Sequence, residues 1–147
     1  MANVADAKEI VSDLNNLIEL DYDAIAAYQA AIERLETDAY KMKLTEFLGD
    51  HERHTVELGK LVAGEGGKPS SEGDAKKFLT KGKVVMADLA GDEAILKAMK
   101  SNEEQTNSKY EDAVEQGYPE NIQKVLQRGL ADERRHKAWL IDILDDR

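Results

Sequence analysis

Between its breakers the chain alternates apolar and polar residues in the three- and four-residue steps of an α-helix, over four long stretches. The first runs from about Ala5 to Thr37, with an inward stripe of Ile10, Leu14, Leu17, Asp21, Ala24, Tyr28, Ala31 and Leu35. The second runs from about Ala39 to Val62. There Leu44, Leu48, His51, Thr55, Leu58 and Val62 share one stripe, with Phe47, His54 and Leu61 along its edge. Asp38 is the expected N-cap. The third opens at Gly91-Asp92 and carries Leu96, Met99, Glu103, Thr106, Tyr110 and Ala113 in step. The fourth follows Gly117-Tyr118-Pro119 and carries Ile122, Leu126, Gly129, Glu133, His136, Leu140 and Ile143.

The connections are unequal. Helices one and two are joined tightly, as are three and four, so each pair reads as an antiparallel hairpin, one over about 5–63 and one over about 92–145. Between them, over about 64–91, the breaker Gly64-Glu65-Gly66-Gly67-Lys68-Pro69 precedes a short amphipathic piece from about Ala75 to Leu89. A plain up-down bundle has no need of so much chain. The expected fold is therefore a single all-α domain, 1–147, built as an antiparallel four-helix bundle. Its two hairpins are joined by a long crossover that contains a short helix.

Six polar residues stand where leucine is expected. Asp21, His51, Glu103, Glu133 and His136 occupy inward positions, and His54 lies beside one. They fall into two copies of one pattern. Asp50-His51-Glu52-Arg53-His54 corresponds to Asp132-Glu133-Arg134-Arg135-His136 at an offset of 82 positions (132 − 50), and the same offset carries Asp21 onto Glu103 and Tyr28 onto Tyr110. A carboxylate stripped of water costs several kcal/mol unless it is paired or bound to metal. Residues three apart on a helix project from one face, so Glu133 with His136, and His51 with His54, can reach one ion. The six are therefore candidate metal ligands. Without a metal they would form a buried network of acids and protonated imidazoles. Tyr28 and Tyr110 are expected to hydrogen-bond the carboxylates. Asp50 and Asp132 each precede a ligand position and turn about 100° round the helix. Asp132 is expected to orient His54, and Asp50 to orient His136, by accepting the free ring N–H.

Composition narrows the chemistry. The chain has no cysteine, which excludes disulfides, zinc–thiolate sites and cysteine-held iron–sulfur clusters and leaves nitrogen and oxygen donors. That fits a cytoplasmic protein. A net charge of −10 argues against nucleic acid as a partner. No apolar run approaches a membrane span, and no signal-type core follows the N-terminus. Among metals, such donors suit iron, manganese or zinc.

These residues resemble the ferritin-like superfamily of bacterioferritin and rubrerythrin type. More closely, they resemble a bacterial ferritin-like four-helix-bundle family described as a domain of unknown function. The matching stretches are Leu17 to Ile25, Asp50 to His54 and Ala131 to His136. The superfamily pattern places Glu on helices one and three and Glu-x-x-His on helices two and four. Glu103, Glu133, His136 and His54 match it; His51 stands in place of a glutamate, and Asp21 is one methylene shorter than its counterpart. The resemblance implies a core that binds one or two transition-metal ions, with a role in iron or peroxide handling under stress, and it leaves room for a homo-oligomer. Two other readings stand beside it. One is a di-metal oxidoreductase acting on oxygen or peroxide. The other is a bundle stapled by structural zinc, with its function on the surface.

Overall fold

The computed structural model describes residues 6–75 and 89–145, which form four long helices. These are α1 (Ala7–Arg34), α2 (Asp38–Gly64), α3 (Asp92–Val114) and α4 (Glu120–Asp145). Asp6 caps α1 by accepting the Glu9 N–H at 2.9 Å. α2 ends in a Schellman turn: the Gly66 N–H bonds Ala63 O and the Gly67 N–H bonds Val62 O, with Gly66 at φ 83°. A side chain at Gly67 would lie 2.6 Å from Val11, so only glycine lets the chain turn back against α1 here.

The N-cap of α2 is Thr37 rather than Asp38, which sits in the first turn. The reason lies in another element. Asp92, at the start of α3, accepts the N–H groups of Glu36 and Thr37 at 2.8 and 3.1 Å and also the Thr37 hydroxyl. This clamp sets the turn one residue earlier than local sequence indicates.

The same clamp defines the topology. α3 begins where α1 ends and α2 begins, so α3 runs parallel to α2 and antiparallel to α1. At the opposite end, the Tyr118 hydroxyl in the α3–α4 turn bonds Asp13 of α1 at 2.6 Å. α1 packs against α2 and α3, and α4 packs against the same two, while the diagonal pairs approach one another through side chains rather than backbone. Every neighbouring pair is antiparallel, and the α2–α3 connection must travel the length of the bundle. Its first part climbs α1: Asn15 donates to Lys68 O at 3.0 Å, and Ser70 donates from its N–H to Asn15 and from its hydroxyl to Glu19. The short helix expected in the crossover falls almost wholly on residues 76–88, outside the described residues.

Two apolar layers fill the bundle. One gathers Ile10, Leu14, Leu58, Val62, Ile122 and Leu126; the other gathers Ala31, Leu35, Leu44, Phe47, Leu96 and Met99. Each fully buried aliphatic side chain contributes roughly 1.5–3 kcal/mol, which offsets the cost of polar groups held between the layers. On α2 the inward face is turned from the expected stripe. Phe47 and His54 are buried, whereas Leu48, Thr55 and Leu61 are half-buried. α2 is covered from two sides, by α1 and α4, and this widens its buried face toward positions 47 and 54.

Candidate metal centre

Between the two apolar layers each helix turns polar side chains inward. α1 brings Asp21, α2 brings His51 and His54, α3 brings Glu103, and α4 brings Glu133 and His136. All six are 2% exposed or less. Their donor atoms form two overlapping clusters, Asp21–His51–His54–Glu133 and His51–Glu103–Glu133–His136; within each, the atoms lie within 4.8 Å of one another. His51 and Glu133, which correspond at the 82-position offset, belong to both.

In the first cluster, Asp21 Oδ1 lies 2.7 Å from His51 Nδ1 and 3.1 Å from His54 Nδ1. In the second, Glu103 Oε1 lies 3.3 Å from His51 Nε2 and 3.2 Å from His136 Nδ1. Glu133 spans both. Its Oε1 is 3.5 Å from the Nδ1 atoms of His51 and His54, and its Oε2 is 3.6 Å from His136 Nδ1. The tyrosines cross between helices. Tyr28 of α1 donates to Glu103 of α3, and Tyr110 of α3 donates to Asp21 of α1 at 2.6 Å.

The outer nitrogens of two histidines are anchored across the α2–α4 seam. His54 Nε2 meets Asp132 at 2.9 Å, and His136 Nε2 meets Asp50 at 2.8 Å. Arginines stand behind both acids: Arg53 bonds Asp132 and Asp50, and Arg135 bonds Asp50 and Asp132. Sequence reasoning passed over these arginines, although Arg53 and Arg135 repeat at the same 82-position offset as the other pairs. It also gave no role to two residues of α3. The Thr106 hydroxyl lies 3.0 Å from both Glu103 Oε2 and Glu133 Oε2, and Asn107 donates to the backbone carbonyls of Glu103 and Glu133. Their counterparts in the first half are Ala24 and Ile25, so no repeat pointed to them.

The electrostatics are those of a dense buried charge set. Burial alone would raise the Asp21 carboxyl, but hydrogen bonds with His51 and His54 hold it below its ordinary value. Burial likewise opposes ionisation of Glu103, and His136 and His51 overcome it. Glu133 goes the other way: burial dominates and, with the Glu103 charge, raises it to about 7 against the pull of His51. The histidines are all raised despite burial. Glu133, Asp21 and Glu103 raise His51 well above the usual range. Asp132 and Asp21 lift His54 to about 9, and Asp50, Glu103 and Glu133 lift His136 to about 10. Burial and the adjacent acids push the Tyr28 and Tyr110 hydroxyls well up, so both stay protonated donors.

The donor set fits a divalent metal ion. Glu133 Oε1 is buried and accepts no hydrogen bond among the described residues, although it faces two imidazoles. A buried carboxylate oxygen left without a donor calls for an explanation, and a cation is one that satisfies its lone pairs. Three carboxylates and three imidazoles, with no sulfur, match the preferences of iron, manganese and zinc.

Residues 9–116 match the family described as "Domain of unknown function (DUF2383)". The chain belongs to that family. The part matched by the DUF2383 model carries Asp21, His51, His54 and Glu103, while Glu133 and His136 lie beyond it. No curated protein matches the chain. Among solved structures, the fold is similar to the bacterioferritin-related protein of Bacteroides fragilis, described as a dodecameric thioferritin. The TM-score is 0.75, at 19% identity, over 97% of this chain and 88% of that one. This DUF2383 protein therefore has a ferritin-like fold. Among its described residues, no helix is long and apolar enough to cross a membrane.

Proposed function

We propose that this DUF2383 protein binds one or two transition-metal ions, iron first and manganese or zinc as alternatives, through Asp21, His51, His54, Glu103, Glu133 and His136. The observation that carries this reading is the pair of overlapping buried clusters, with Glu133 Oε1 left unsatisfied between them. Asp21 and His54 would serve the first cluster, Glu103 and His136 the second, and Glu133 and His51 both. A bound ion supplies positive charge and, if iron or manganese, a redox couple. The chain's own work is to hold the donors ready. Asp132 and Asp50 fix the rings of His54 and His136, so their inward nitrogens stay aimed at the clusters. Tyr28, Tyr110 and Thr106 direct hydrogen bonds onto carboxylate oxygens and limit their rotation. The apolar layers above and below keep water away, so charge interactions there are strong.

The fold's likeness to a bacterioferritin-related protein described as a dodecameric thioferritin supports iron handling and a homo-oligomer. A role in peroxide handling under stress, in the cytoplasm, belongs to the same proposal. A di-metal oxidoreductase acting on oxygen or peroxide is the second reading. It is favoured by the two tyrosine hydroxyls that touch carboxylates of the centre. A structural zinc staple needs only four ligands, and the six donors in two clusters speak against it.

The test is anaerobic titration of metal-free protein with ferrous iron, and in parallel with manganese(II) and zinc, counting ions per chain, followed by admission of oxygen to the iron-loaded sample. One or two ions per chain support metal binding, and a new visible absorption band adds the redox reading. No bound iron, manganese or zinc overturns both.

A further inference from the structure

We infer that His51 bridges the two clusters, giving Nδ1 to one metal ion and Nε2 to another, so that the centre is dinuclear and spaced by the width of an imidazole ring. This rests on the metal-binding reading above and says how the site is divided.

The contrast among the three histidines carries the inference. His54 and His136 have one nitrogen inside the centre and the other tied to an outer acid, Asp132 or Asp50. That is the arrangement of a terminal ligand, whose spare N–H is held by a carboxylate outside the site. Among the described residues, His51 has no such outer partner. Its Nδ1 lies 2.7 Å from Asp21 Oδ1 and 3.5 Å from Glu133 Oε1; its Nε2 lies 3.3 Å from Glu103 Oε1. Asp21, Glu133 and Glu103 are all members of the clusters themselves. The ring is fully buried, with Tyr28 at 5.3 Å and His136 at 5.2 Å between ring centres, so it is packed in the orientation that separates the clusters.

Charge balance supports the assignment. Both nitrogens can coordinate only when neither carries a proton, so the imidazolium of the metal-free centre releases one N–H proton to solvent as each ion binds, two in all. Three carboxylates and one imidazolate carry four negative charges, which two divalent ions neutralise. A terminal His51 would leave a net positive charge in a site closed to water. Glu133 turns Oε1 toward His51 and His54 and Oε2 toward His136 and Thr106, so it faces both clusters, while the ring sets their separation.

Cobalt(II) tests this directly. Ions bound per chain are counted in solution, and crystals of the cobalt-loaded protein are measured at the cobalt absorption edge. The expected result is two ions roughly 6 Å apart, since metal–nitrogen bonds of about 2 Å extend from both sides of one ring. His51→Glu, loaded in the same way, is expected to draw the pair in to about 3.5–4 Å, the spacing of carboxylate-linked two-metal sites. A wild-type pair already at that shorter distance, a single ion, or a spacing that His51→Glu leaves unchanged overturns the bridge but leaves metal binding standing. No cobalt in solution or crystal overturns both. If His51→Glu does not fold, the wild-type separation decides.

Discussion

Asp50 of α2 accepts a hydrogen bond from the ring of His136 on α4 at 2.8 Å, and its counterpart Asp132 of α4 does the same for His54 on α2 at 2.9 Å. Each helix thus orients the histidine of the other. Ring orientation in the centre depends on the α2–α4 seam as well as on the helix that carries each ligand.

Neutralising either acid tests this dependence. Asp132→Asn and Asp50→Asn are expected to lower metal affinity about 10- to 100-fold, the usual effect of losing an outer partner of a histidine ligand. The number of ions at saturation stays the same. Competition with a chromophoric chelator reads both quantities, and unchanged affinity in both variants would mean that the acids only decorate the seam.

Removing the metal is expected to make stability fall as the solution becomes alkaline. His54 and His136 keep their protons up to about 9 and 10 in the fold, well above the ordinary 6.5. Their contribution is complete below about pH 6.5 and is lost as pH rises through 9 to 10. Glu133, raised to about 7, acts in the same direction at lower pH. Asp21 and Glu103 are depressed, so their contribution is present above roughly pH 4–4.5 and is lost on acidification. Urea unfolding of chelator-treated protein should show maximal stability near pH 5–6 and a loss of about 2–5 kcal/mol by pH 10. A flat profile above pH 6.5 would contradict buried protonated histidines.

Glu133→Gln separates folding from binding. Glu133 belongs to both clusters, yet among the described residues its Oε1 makes no hydrogen bond. The metal-free variant should lose no more than about 1 kcal/mol, while metal retained after gel filtration falls below one ion per chain. Full occupancy in the variant would remove Glu133 from the ligand set.

Gly129 faces the Tyr110 ring, and a Cβ there would come within 2.6 Å of Tyr110 Cε1. Gly129→Ala should therefore cost about 1–3 kcal/mol through overpacking, despite alanine's higher helix propensity. It should also push Tyr110 away from Asp21. Thermal unfolding reads the first effect. A stability equal to or above wild type would show that the ring has room to move.

The residues legible from sequence are those whose signal is local to one helix. Ile10 through Leu35 on α1 and Leu96 through Ala113 on α3 follow the period of a single helix, so their inward direction needs no knowledge of neighbours. The inward polar residues were visible for the same reason, and the 82-position offset tied them into pairs. Thr106 stood in the α3 stripe, but neither it nor Asn107 was tied into a pair, because Ala24 and Ile25 occupy the equivalent positions.

The sequence by itself thus determined the helices, their buried stripes and the level at which acids and imidazoles face inward, since helical periodicity is a property of the local chain. Tertiary structure alone decided the rest. Asp92 clamping Glu36 and Thr37 starts α2 at Asp38 and sets α3 parallel to it. Contact from two sides turns Phe47 and His54 inward, and Arg53 and Arg135 close over Asp132 and Asp50. The division of His51 between two clusters belongs here too. All of these depend on which helix faces meet and at what height, and no single helix's pattern contains that information.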